Sequence, residues 1–121
     1  MVNKLEVIKQ IIYFARRKLI NGAFVHFKWK EINPFTRKEK EIEEIRVFKF
    51  TPSNGTIGII SLHLNSNNLW EVFSIDAVWP ENLDTTLINF INFILDDDVE
   101  IIKAGEPSEL KLKFDFKAVV K

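Results

Sequence analysis

A chain of 121 residues with 46% hydrophobic side chains can bury about two-thirds of its unfolded surface, so residues 1–121 are expected to form one domain with an ordinary core. The absence of cysteine removes disulfides, thiolate metal sites and thiol nucleophiles, and suits a reducing compartment. The formal net charge is zero but unevenly laid out: residues 1–50 carry twelve Lys/Arg against six Glu, and residues 51–100 carry eight acids and no Lys or Arg.

Residues 3–20 have the periodicity of an amphipathic helix, with Leu5, Ile8, Ile12, Ala15 and Leu19 as its apolar stripe and Asn21-Gly22 as its stop. The longest unbroken apolar run here, "IIYFA", is too short for a signal h-region or a membrane span, which points to a cytoplasmic protein. "AFVHFKWKEI" then alternates: Val25, Phe27 and Trp29 share one face, His26, Lys28 and Lys30 the other. Asn33-Pro34 makes a turn, "TRKEKEIEE" reads as an exposed loop or strand extension, and residues 43–50 form a second strand.

After the turn "TPSNG", the runs "TIGIISLHL" and "LWEVFSIDAVW" predict a hairpin joined by "NSNN". Pairing Leu64 with Leu69 places Leu62, Ile60 and Gly58 on the core face with Glu71, Phe73 and Ile75. It leaves His63, Trp70, Ser74 and Asp76 open. Pro80 ends the strand, and Asn82 or Asp84 caps a second helix running to about Asp96. Leu83, Leu87, Phe90, Ile91, Ile94 and Leu95 form its core side, with Ile88 and Phe93 at the edges, so the helix is expected to be largely buried. "VEIIK" and "LKLKFDFK" supply a fifth and a sixth strand around the turn "AGEPSE". The order α-β-β-β-β-α-β-β with short links predicts an α+β two-layer fold: a mostly antiparallel sheet of about six strands with two helices on one face.

No phosphate-binding glycine loop, nucleophile elbow or zinc pattern is present, so no cofactor is expected. Asp96, Asp98 and Glu100 alternate like oxygen ligands, but the glycine and glutamate of a calcium loop are missing, so no metal is expected either. A metal-independent hydrolase or nuclease would need an acid and a base, for which His63 with Asp76 or Glu71 are the candidates. The sequence pI of about 6.7 argues against direct nucleic-acid binding. A self-associating structural subunit would use the apolar edge at Ile88 and Phe93.

The acidic block fits protein recognition better. Acids steer a basic partner, and aromatic side chains anchor it. The block free of basic residues, "DDDVE" at 96–100 and the aromatics of "LW" and "VWP" resemble, in overall character, the small cytoplasmic immunity proteins that neutralise bacterial toxins, such as those of contact-dependent growth inhibition systems. The resemblance implies a non-enzymatic inhibitor that blocks a basic, nuclease-like protein toxin and contacts neither membrane nor nucleic acid. The expected contact residues are His63, Trp70, Glu71, Asp76, Trp79, Glu81, Asp84, Asp96, Asp97, Asp98 and Glu100.

Overall fold

The computed structural model describes residues 2–112. The order is α1 (Lys4–Arg17), β1 (Ala23–Ile32), β2 (Glu39–Thr51), β3 (Thr56–Leu64), β4 (Trp70–Val78), α2 (Pro80–Leu95), β5 (Glu100–Gly105) and a short 3-10 turn (Pro107–Glu109). Among the described residues, five strands make one antiparallel sheet in the order β4-β3-β2-β1-β5, with β4 and β5 at its edges. The α+β class is as expected. The sixth strand is not seen: residues 110–112 are irregular, and the rest of the run "LKLKFDFK" lies outside the described residues.

Both helices pack on one face of the sheet. There Val7, Ile11 and Phe14 of α1 and Leu87, Phe90 and Ile94 of α2 meet Val25, Phe27, Phe48, Ile57 and Ile59. The stripe expected on α1 is therefore corrected: Leu5 and Leu19 are exposed. They stand in the first turn and beyond the left-handed cap at Lys18, where the helix no longer lies over the sheet. The Asn3 side chain accepts the Leu5 N–H, satisfying one of the free amides at the helix start. α2 is also less buried than its composition suggests, with Ile88 and Leu95 exposed. It begins at Pro80, earlier than expected, because proline at the first helical position gives up no hydrogen bond.

The opposite face carries a second apolar cluster of Phe24, Ile45, Leu62 and Trp70, against which Leu110 and Leu112 pack. The outward position expected for Trp70 is thus overturned. The hairpin pairs Leu64 with Trp70, one residue later than expected, and a one-residue slip sends a side chain to the other face. The connecting turn holds this register: Asn65 Oδ1 accepts the N–H groups of Asn67 and Leu69, and Asn68 adopts a left-handed conformation. A bulge then skips Phe73, so that Ser61 pairs with Ser74. β2 absorbs most of the charged run 36–44, which proves to be strand extension.

Gly22 joins α1 to β1 at φ +83, and a Cβ there would strike the carbonyl oxygen of Phe48. Gly22→Ala would combine left-handed strain with a backbone clash, and is expected to cost about 2 kcal/mol in urea unfolding. Gly58→Ala, whose added carbon meets only ordinary contacts, is the matched control.

Candidate functional site

Strand alternation on β2 turns Glu44, Arg46 and Phe48 toward the helices, and β3 turns Ile59, Ser61 and His63 the same way. Glu44 and His63 are register partners, and their side chains meet: His63 Nε2 and Glu44 Oε1 lie 2.8 Å apart. The other carboxylate oxygen, Oε2, accepts from Arg46 Nε at 2.8 Å and Nη2 at 2.6 Å. Glu44 is 2% exposed, so its carboxyl group is buried, with one oxygen satisfied by the Arg46 guanidinium and the other by the His63 imidazole.

This network forms the floor of an open cleft of about 720 Å³ between α2 and the far end of the sheet. Aromatic rings wall it. Phe73 stacks on the His63 ring at 4.1 Å, Trp29 meets His63 edge-on at 6.4 Å, and Phe93 meets Trp29 edge-on at 5.3 Å. From below, Phe90 supports the Arg46 guanidinium at 4.8 Å, a cation–π contact. Thr86 and Asn89 of α2 supply polar groups to the wall, and Glu31 and Lys40, register partners across β1 and β2, face each other at the rim. A second cleft of about 490 Å³ adjoins the first and shares Arg46, Ile59 and Thr86 with it; Ser61, Ser74, Asp76 and Trp79 complete it.

The sequence-expected residues separate into three places. His63 is half-buried on the helix-facing side of the sheet, which corrects its outward assignment, and Trp70 is buried on the opposite side beside His26. Glu71 is the register partner of His63 and is half-buried, whereas Asp76 pairs with Ile59 further along β4. The side chain that His63 touches is neither of these but Glu44, which sequence reading passed over. Its signal was Glu-x-Arg in a strand, with Glu44 and Arg46 on one face between Ile42 and Phe48.

Trp79, Glu81 and Asp84 are exposed at the start of α2. Among the described residues, no ion pair involves Glu71, Asp76, Glu81 or Asp84. Four of the twelve Lys/Arg in the basic half, Lys9, Lys28, Lys30 and Arg46, are by contrast paired with acids among the described residues. Lys28 bridges Glu100 at 3.5 Å and Glu41 at 3.7 Å, and Lys30 bridges Glu39 at 3.8 Å. Glu100 first, and then Glu41, hold the Lys28 ammonium above its ordinary pKa. His26 Nε2 lies 3.2 Å from Glu43 Oε2, out of alignment for a hydrogen bond.

Asp96, Asp97 and Asp98 form an exposed turn after α2. Asp96 Oδ1 accepts the Asp98 N–H, and the Asp96 carbonyl accepts from Lys4 Nζ at 2.7 Å. The backbone thus uses one aspartate as a turn-former, and Lys4 of α1 offsets the negative helix end. Asp98 and Glu100 line a cleft of about 530 Å³ together with Lys28 and Lys30. No group of three or more His, Cys, Asp or Glu side chains among the described residues is arranged to hold a metal, and no described helix is long and apolar enough to cross a membrane.

No protein-family model matches the chain, and no curated protein or solved structure matches it either.

Proposed function

We propose that this chain is a non-enzymatic binding protein, an immunity protein or similar inhibitor acting in the cytoplasm, which covers a basic, nuclease-like toxin. One observation carries the reading: residues 71–84 combine unanswered acids with exposed apolar anchors on one edge of the domain. β4 is an edge strand; Phe73 is 68% exposed, Ile75 70% and Trp79 50%. Glu71, Asp76, Glu81 and Asp84 accompany them without an ion pair among the described residues. Unpaired acids around aromatic anchors supply steering and binding energy together. The acids also disfavour a second copy of the chain on this edge, because like charges would meet.

The contact residues inferred from sequence are narrowed accordingly. Trp70 is in the core. Asp96, Asp97 and Asp98 lie at the far end of α2 from Trp79, about 24 Å away for a helix of this length, where Lys4, Lys28 and Lys30 already stand near them. The recognition face in this reading is β4 with the first turn of α2.

The test first asks whether a basic toxin domain is encoded beside this chain and then measures the binding of that domain as a function of salt; a neighbourhood without one would count against the reading. Removing three charges with Asp76→Asn, Glu81→Gln and Asp84→Asn is expected to weaken binding about 30-fold and flatten its salt dependence. Trp79→Ala alone is expected to cost about tenfold or more. Converting Asp96, Asp97 and Asp98 together to Asn should change affinity by less than about threefold. Salt-independent binding, or a larger loss from the Asp96–Asp98 set than from the Asp76, Glu81 and Asp84 set, would overturn the reading.

A further inference from the structure

The buried Glu44 network has no part in an edge-strand interface, yet it lies under an open cleft. A carboxylate buried with a cation and an imidazole is at best a weak source of stability compared with apolar packing. What the network displays to the cleft is more informative. Glu44 is sequestered beneath it, with Oε2 taken by Arg46 and Oε1 by His63. An incoming molecule therefore meets Arg46 rather than the carboxylate. Arginine has five N–H groups, of which one on Nε and one on Nη2 go to Glu44, leaving three on the outer edge of the fork. None of these three makes a hydrogen bond among the described residues, and Arg46 nitrogens are not among the buried unpartnered atoms, so the outer edge is accessible from the two adjoining clefts that Arg46 lines. The guanidinium is fixed in plane by Glu44 at one edge and by the Phe90 ring at one face. Such an edge matches a carboxylate, which it can hold through two parallel bonds.

The rest of the cleft sets the body of the ligand. Phe73, Trp29 and Phe93 offer flat apolar walls beside the guanidinium, and about 720 Å³ accommodates a ring system with a short linker. Of the other charges, Glu31 is the register partner of Lys40 at the rim, Glu71 is the register partner of His63, and Asp76 lies in the adjoining cleft that Arg46 also lines, where it competes for the guanidinium. Thr86 and Asn89 add hydrogen-bonding groups on the α2 side. We infer that this cleft binds a small aromatic carboxylate, its carboxylate on the outer edge of Arg46 and its ring against Phe73, Trp29 and Phe93.

The inference does not rest on the toxin-binding reading: its anion contact is Arg46 on the helix-covered side of β2, and Phe73 is the residue the two surfaces share. The experiment titrates 3-phenylpropionate, 3-phenylpropan-1-ol and 3-phenylpropylamine into the labelled protein and follows amide, Arg46 Nε–H and Trp29 indole resonances. The acid is expected to bind about tenfold more tightly than the alcohol or the amine, shifting the Arg46 and Trp29 signals together. Phe73→Ser, at an exposed position that leaves the core intact, should weaken the acid about fivefold. Equal binding of acid and alcohol would reduce the site to an apolar recess and overturn the anion assignment. Shifts confined to a separate groove of about 750 Å³ between the end of α1 and β5, lined by Tyr13, Phe14, Ile20 and Gly105, or no saturable shift at millimolar acid, would overturn the site.

Discussion

Phe27→Ala is expected to lower the stability of the protein by about 3–5 kcal/mol and its melting temperature by roughly 10–20 °C. Phe27 is fully buried, and its ring lies where the two layers meet. It packs edge-on against Phe90 at 5.7 Å and Phe93 at 5.8 Å, stacks with Trp29 at 5.5 Å, and supports Arg46 at 5.6 Å. Truncation removes the transfer energy of the ring and leaves a cavity, because α2 cannot collapse onto the sheet without dislodging Phe48 and Phe90, whose rings are 5.3 Å apart. A domain of this size has about 5–15 kcal/mol in hand, so the variant keeps only part of its margin. Phe35→Ala is the control. Phe35 is 94% exposed in the turn after β1, and the change should fall within about 0.5 kcal/mol. Urea unfolding followed by tryptophan fluorescence reads both; a Phe27→Ala cost below about 1.5 kcal/mol would mean that α2 is not packed on the sheet in this way.

That arrangement was partly legible in the sequence. The alternation of "AFVHFKWKEI" is clear from Val25 to Lys30, so β1 was found with its boundaries and with Val25, Phe27 and Trp29 on one face, although Phe24 is buried on the other. The Asn33 turn was equally plain, because its side chain does the folding: Oδ1 accepts the N–H groups of Phe35 and Thr36. α1 was found, but with its buried stripe offset by one residue. Val7, Ile11 and Phe14 are its fully buried line, Ile8 and Ala15 of the expected stripe pack beside them, and only the sheet beneath decides between two adjacent apolar stripes on one helix. The β3–β4 hairpin was found one residue out of register, since nothing in "LNSNNLW" says that Leu69 belongs to the turn until Asn65 is seen accepting its N–H. That slip alone put Trp70 on the wrong face.

The candidate site was less legible than the fold, for a physical reason. "RKEKEIEE" has the composition of a solvated loop, yet Glu39 and Glu41 are tolerated in a strand because Lys30 and Lys28 of β1 answer them diagonally across the ladder. Once the run is a strand, Glu44 must point inward, and it needs partners there. Those partners come from residues 46 and 63, and the second of them is nineteen positions away and belongs to another strand. Cross-strand neutralisation of this kind depends on register, which composition does not carry. The unpaired acids of residues 71–84 are the converse case. The lack of Lys and Arg is visible in the sequence, and the fold then separates the four acids near β4 from the Asp96–Asp98 turn that seemed to belong with them.

The second large effect is expected at Glu44. Glu44→Gln keeps the shape and removes the charge, leaving Arg46 half-buried beside a neutral amide. Breaking a fully buried pair costs about 3–5 kcal/mol, and the outer edge of Arg46 still reaches the cleft, so about 2 kcal/mol is expected. Arg46→Met strands the more deeply buried partner: the Glu44 side chain is 3% exposed against 26% for Arg46. It should therefore cost more, about 3 kcal/mol. The combined Glu44→Gln, Arg46→Met variant places a thioether over Phe90 and Phe27 and leaves an amide beside His63, which can still hydrogen-bond it. Its stability should lie closer to the parent than the two single costs added together imply, with a coupling of about 1.5–3 kcal/mol. Additive losses would mean that the two side chains do not act as a pair. The same proteins separate stability from ligand binding: the combined variant should fold and still lose 3-phenylpropionate by about tenfold, because a methionine has no N–H edge to offer it.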